Sequence, residues 1–177
     1  MRDKPVIATR REFEIPDQSV RSHAEQISDA VDLLYEDLGN RHCVVVAVQL
    51  LGAFAIEIFL KCLSSETISH EVPELLDPDA RQLTSRPTKF GHDLRKQFDH
   101  LDDRIRNGLE AAYAAKPCIP GVPALRDAID RYRNLFEEIR YIFEKKDFEG
   151  QSITHLVKLV QFLREQVSLM PTISHWE

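Results

Sequence analysis

Two arginine–histidine pairs stand at spacings that could serve acid/base cleavage of a phosphodiester: Arg86 with His92, and Arg95 with His100 inside the decapeptide GHDLRKQFDH, residues 91–100. A histidine can take or give a proton near neutrality, and an arginine can hold charge developing on phosphate oxygens. Fifteen arginines and 7 histidines in 177 residues produce about that many matches by chance, so the bare spacing carries no weight. On a continuous helix Arg95 and His100 would also diverge by about 140°.

More telling are charges that break the rules of their surroundings. Glu57 falls in AIEIFLKCL, within the most apolar stretch of the chain, where an unpaired carboxylate costs several kcal/mol. Lys61, one helical turn on, is one candidate partner, and Arg140 is another. Arg126, Asp130, Arg133, Glu137, Arg140 and Glu144 recur at spacings of four and three, which on one helix makes a ribbon beside an apolar stripe. The ribbon is either a solvated ladder or a row from which Arg140, nearest the stripe, reaches a buried acid such as Glu57. Arginine ahead of the acid is the weaker order for pairing along a helix, so local stabilisation explains the ribbon poorly.

In GHDL, Asp93 suits the exposed amides of a helix start, while His92 is free to hydrogen-bond sideways; the plainer alternative is that the two merely begin the helix. Arg81, Arg86, Lys89, Arg95 and Lys96 gather nearby, either as a nucleic-acid contact or as solvated surface. The reading expects no metal and no cofactor.

Five helical segments must position these residues. The first starts at Asp17 or Ser19 and stops at Gly39 and Asn40, and the second, 41–65, is apolar nearly all round. GHDL opens the third, with Leu94, Phe98, Leu101, Ile105, Leu109 and Ala112 on one face, and KPCIPGVP ends it. The fourth runs from Pro123 or Ala124 to about Lys146 through Leu125, Ile129, Tyr132, Phe136, Ile139 and Phe143; the fifth runs from Ser152 to about Leu169. Residues 67–90 read as a long loop with room for one short helical turn around Glu74 to Leu76, and only Val6 to Ile15 hints at a strand. The prediction is an all-α, single-domain, up-and-down bundle spanning 1–177, with its core at about 18–170.

Composition narrows the function classes. A net charge of −6 denies the whole molecule a general grip on polyanions, so any nucleic-acid contact must be local. Cys43, Cys62 and Cys118 show no paired spacing, and the first residues carry both charge signs without an apolar run, which points to a reduced cytoplasm. CVVVAVQLLGAFAIEIFL, 43–60, is interrupted by Gln49 and Glu57 and reads as a buried central helix, not a membrane span. Five helices leave little material to cover it, which predicts a homodimer.

AIEIFLKCL, then a variable loop, then GHDL, then LFEEIRYIFE together resemble the HEPN superfamily of small helical bundles, over about residues 18–170. Glu57 and Lys61 match the E-x-x-x-K of its second helix; His92, Asp93 and Leu94 match its HDL; Arg140, Tyr141 and Glu144 match the R-Y-x-x-E of one branch. The resemblance implies kinship with ribonucleases of defence systems, toxin–antitoxin pairs and RNA-processing complexes. Active members place an arginine–histidine pair from each chain at a dimer interface, without a metal. Here Lys145 stands where that histidine would follow Arg140 at the shortest spacing.

The expectation is therefore a non-catalytic or weakly active module that binds RNA or a partner protein, using Arg86, Lys89, Arg95 and Lys96, with Lys61, Asp93 and Tyr141 as a polar network. The alternative is a metal-independent endoribonuclease in which His92 is acid/base, Arg140 holds the transition-state charge, and Glu57 and Glu144 orient Arg140.

Overall fold

Asp17 is where the helical part of the chain begins, for a local reason: its carboxylate accepts the amides of Ser19 and Val20 at 3.0 Å each, two of the donors a helix start leaves unpaired. The computed structural model describes residues 9–40, 42–71, 81–88, 91–141 and 151–176. Helix α1 is Gln18–Glu36, followed by single 3-10 turns at Asp37–Gly39 and His42–Val44; α2 is Val45–Cys62. The amide of Asp17 also donates to the Cys62 carbonyl at 2.8 Å, tying the start of α1 to the end of α2.

Helix α2 is the centre of the bundle. It packs against α1, against α3 (Leu94–His100), against α6 (Leu135–Arg140) and against α7 (Ile153–Leu169). Its Val48, Ala53, Ile56, Phe59 and Leu60 are fully buried, each of the large ones contributing about 1.5–3 kcal/mol. By length and hydropathy α2 would pass for a membrane span, but here it is a core helix of the bundle. Gly52 sets its approach to α7: a Cβ there would meet Leu156 Cδ2 at 2.8 Å.

The helical bundle matches the periodicity, with differences where side chains compete for backbone groups. The third predicted helix is two, α3 and α4 (Asp103–Ala115), because buried Leu101 takes an extended conformation and Asp102 caps a new start through the Arg104 amide at 2.8 Å. The fourth divides into α5 (Leu125–Asp130) and α6, joined by a turn tightened into i→i+3 bonds: Tyr132 N–H to Ile129 at 3.0 Å, Arg133 N–H to Asp130 at 3.2 Å. The Arg133 carbonyl accepts the first amide of α3, that of Leu94, at 3.0 Å. That bond seats the start of α3 beside α6. The predicted continuation to about Lys146 passes beyond residue 141, outside the described residues.

The larger correction is at one end of the bundle, where four strands form an antiparallel sheet in the order β3-β2-β1-β4: β1 Thr9–Ile15, β2 Ser65–Glu71, β3 Arg81–Pro87 and β4 Ile173–Trp176. β1 lies over the stretch that hinted at a strand. Much of the predicted loop 67–90 is instead a β2–β3 ladder from Ser65↔Pro87 to Glu71↔Arg81; the helical turn expected at Glu74 to Leu76 lies outside the described residues. β1 pairs with β2 and β4, so that Ile15 stands opposite Ile173.

Candidate functional site

Gly91 makes the approach to the site possible. Its φ of 110° is one that side-chain-bearing residues rarely adopt, and its carbonyl accepts the Gln97 side-chain Nε2 at 2.6 Å, which ties the turn to α3. His92 follows and meets α2. Its Nδ1 lies 2.8 Å from Glu57 Oε2, while Lys61 Nζ donates to Glu57 Oε1 at 2.5 Å.

Glu57 is 1% exposed, so both of its oxygens are matched inside the protein, one by an ammonium and one by an imidazole. Arg140 is not among its partners. The expected contact between Glu57 and Arg140 fails because α6 brings a different residue to α2: Phe136, whose ring stands 5.6 Å from that of Phe54 and stacks on His92 at 4.7 Å with 26° between planes. The Arg140 guanidinium carbon lies 5.8 Å from the Phe136 ring centre and 5.7 Å from that of Tyr141. Tyr141, expected in a polar network, is 47% exposed and meets Arg140 through its ring.

The charge ribbon is neither a free ladder nor a reach toward Glu57. It ties α5 and the turn after it to α3. Arg126 grips Asp99 through Nε and Nη2 at 2.9 Å each, and Arg95 lies 3.3 Å from Asp130. Arg133 grips Asp93 at 2.9 and 2.7 Å, and Asp93 also caps α3 through the Lys96 amide at 3.0 Å. Burial pushes the Asp93 carboxyl up, but the hydrogen bonds from Arg133 and the Lys96 amide outweigh it and hold the group below the usual range. Asp99 is held low chiefly by Arg126.

These ties decide which candidate nucleic-acid contacts have charge to offer. Arg95 is committed to Asp99 and Asp130 and makes no pair with His100 among the described residues. Lys96 is 67% exposed and only 3.5 Å from an Asp93 already held by Arg133. Arg86 is exposed on β3. Lys89 and Glu144 lie outside the described residues. His92, Lys96, Gln97, Asn134 and Glu137 line a depression of about 300 Å³. Gln97 and Asn134 were not singled out from sequence, nor was Phe136 as more than core; only its place in the apolar stripe marked it.

An ionised carboxylate is acceptor-only, so in the Glu57 pair the proton sits on His92 Nδ1, and Nε2 is the ring nitrogen left to donate or accept. With Nδ1 held and one face stacked, the ring can bind an anion when protonated or accept a proton when neutral. Among the described residues no His, Cys, Asp and Glu group has metal-binding geometry. Comparison of the chain with protein-family models, curated proteins and solved structures finds no match.

Proposed function

We propose that the chain is a HEPN-like helical bundle serving as a non-catalytic, RNA-binding module of a defence or toxin–antitoxin type of system, cytoplasmic and homodimeric. The observation that carries the reading is the clamped imidazole: Glu57 and Phe136 fix His92 at the rim of a depression that Lys96, an exposed cation, also lines. A fixed imidazole beside an exposed cation suits a phosphodiester. Arg140 supports binding over cleavage, because its guanidinium stands by the Phe136 and Tyr141 rings and makes no hydrogen bond with the imidazole among the described residues. Leu33 and Leu169, 68% and 70% exposed, supply apolar surface for a second copy.

The test is fluorescence anisotropy of a labelled single-stranded RNA against wild type, His92→Ala and Lys96→Ala, with light scattering alongside. Binding that weakens in both variants supports the reading; an RNA that wild type does not bind refutes it, and a monomer at tens of micromolar refutes the dimer.

The Glu57–His92 bond itself favours a second reading, the metal-independent endoribonuclease, because a carboxylate on Nδ1 is how a general base is oriented. In that case RNA is cut in EDTA, His92→Ala abolishes cutting, and His100→Ala leaves it within a few fold. Intact RNA after prolonged incubation with wild type excludes it.

A further inference from the structure

Along the edge of α6 four side chains gather: His92 stacked on Phe136, the Arg140 guanidinium carbon 5.8 Å from the same ring's centre, and the Tyr141 ring centre 5.7 Å from that guanidinium. Two details make this more than packing. Tyr141 is 47% exposed, leaving much of its surface open beside a planar cation. Arg140 is exposed too, and among the described residues no carboxylate holds it, whereas Arg95, Arg126 and Arg133 on the neighbouring elements are all engaged by aspartates. An arginine that no described carboxylate holds, and that stands beside two aromatic rings, offers a flat, electron-poor plane.

We propose that Tyr141 and Arg140 form a stacking platform for an unpaired base of single-stranded RNA, with the adjoining phosphate directed toward His92 Nε2 and Lys96. The inference rests on the RNA-binding reading above and adds to it the substrate class and the residues that select it. Single strands fit because their bases are free to leave one another and lie on a tyrosine or guanidinium plane, while duplex bases are not. The acidic balance of the chain fits as well: with a net charge of −6, long-range attraction is absent, and affinity must come from local stacking. Glu137, on the wall of the same depression, repels phosphate there and directs the strand toward the Lys96 side.

Three probes of about ten nucleotides separate the contributions: a single-stranded oligouridine, a duplex of the same length, and an oligomer with the same backbone but no bases. Wild type should bind the oligouridine, and both other probes roughly ten-fold or more weakly. Tyr141→Ala should weaken the oligouridine about ten-fold and leave the baseless oligomer unchanged, whereas Tyr141→Trp should preserve binding. Arg140→Lys, which keeps the charge and loses the plane, should weaken it several-fold. Circular dichroism and the urea midpoint must stay at wild-type values for these comparisons, and both surface sites permit that. If Tyr141→Ala binds oligouridine like wild type, or the duplex binds as tightly as the single strand, the platform is refuted while the RNA-binding reading survives. If wild type binds no probe, both fall together.

Discussion

Replacing Lys61 with methionine removes one of the two groups that make a buried Glu57 tolerable. The carboxylate is 1% exposed, and the ammonium touches it at 2.5 Å with its own side chain 17% exposed. Removing one partner of a buried pair costs about 3–5 kcal/mol. His92 still donates to Oε2, so the lower end applies and Lys61→Met should destabilise by about 3 kcal/mol. Glu57→Gln is milder, about 1–2 kcal/mol, because the amide keeps the shape and the freed ammonium can extend toward water. If the charges interact as drawn, the double variant costs less than the two singles together, with a coupling of about 2 kcal/mol. Urea unfolding followed by far-UV circular dichroism reads this directly: for a slope of about 2 kcal/mol per molar, Lys61→Met should lower the midpoint by about 1.5 M. A loss under about 0.5 kcal/mol, or strict additivity in the double variant, would refute the buried tie.

Arg140→Ala should change stability by less than about 0.5 kcal/mol, since the guanidinium is exposed and among the described residues lies beside aromatic rings without a carboxylate partner; a loss of several kcal/mol in the same urea assay would mean it compensates a buried acid after all. Because Asp93 titrates below its unfolded value, its stabilisation is present above the unfolded pKa and is lost as pH falls through the folded one. Melting temperatures scanned downward from pH 5 should therefore fall less steeply in Asp93→Asn than in wild type. Gly52→Ala should destabilise by about 1–3 kcal/mol through the clash with Leu156, less whatever the helix gains from alanine, and a stabilised variant would show that α2 and α7 have room between them. Gly91→Ala, strained at φ 110°, should weaken RNA binding along with His92→Ala, and binding left intact would show that the turn does not place the imidazole.

The helices were legible because they carry long apolar stripes, and the Glu57–Lys61 pair because its spacing is that of one helical turn. The sheet was not. Ser65–Glu71 holds Thr67 and Ile68 in a short polar stretch, and such a strand owes its existence to partners that no local pattern announces. The bond from His92 to Glu57 joins elements 35 positions apart, so only the resemblance put the two residues in one list. Arg140 was preferred over Arg133 on the assumption of one unbroken helix. The turn at 131–134, with its i→i+3 bonds and the Leu94 amide on the Arg133 carbonyl, puts Arg133 on Asp93 and leaves Arg140 to the rings.

The β1–β4 ladder has a consequence for how the chain reaches its native state. Ile15 opposite Ile173 closes nearly the whole length of the chain, and such closure is the costliest in conformational entropy and the last to be repaid. The α1–α2 hairpin and its packing on α7 can form while β1 still lacks β4 on one side. During that interval the vacant edge of β1 fits the β4 segment of any copy of the chain as well as its own, so refolding at high protein concentration should yield exchanged dimers that refolding at high dilution does not.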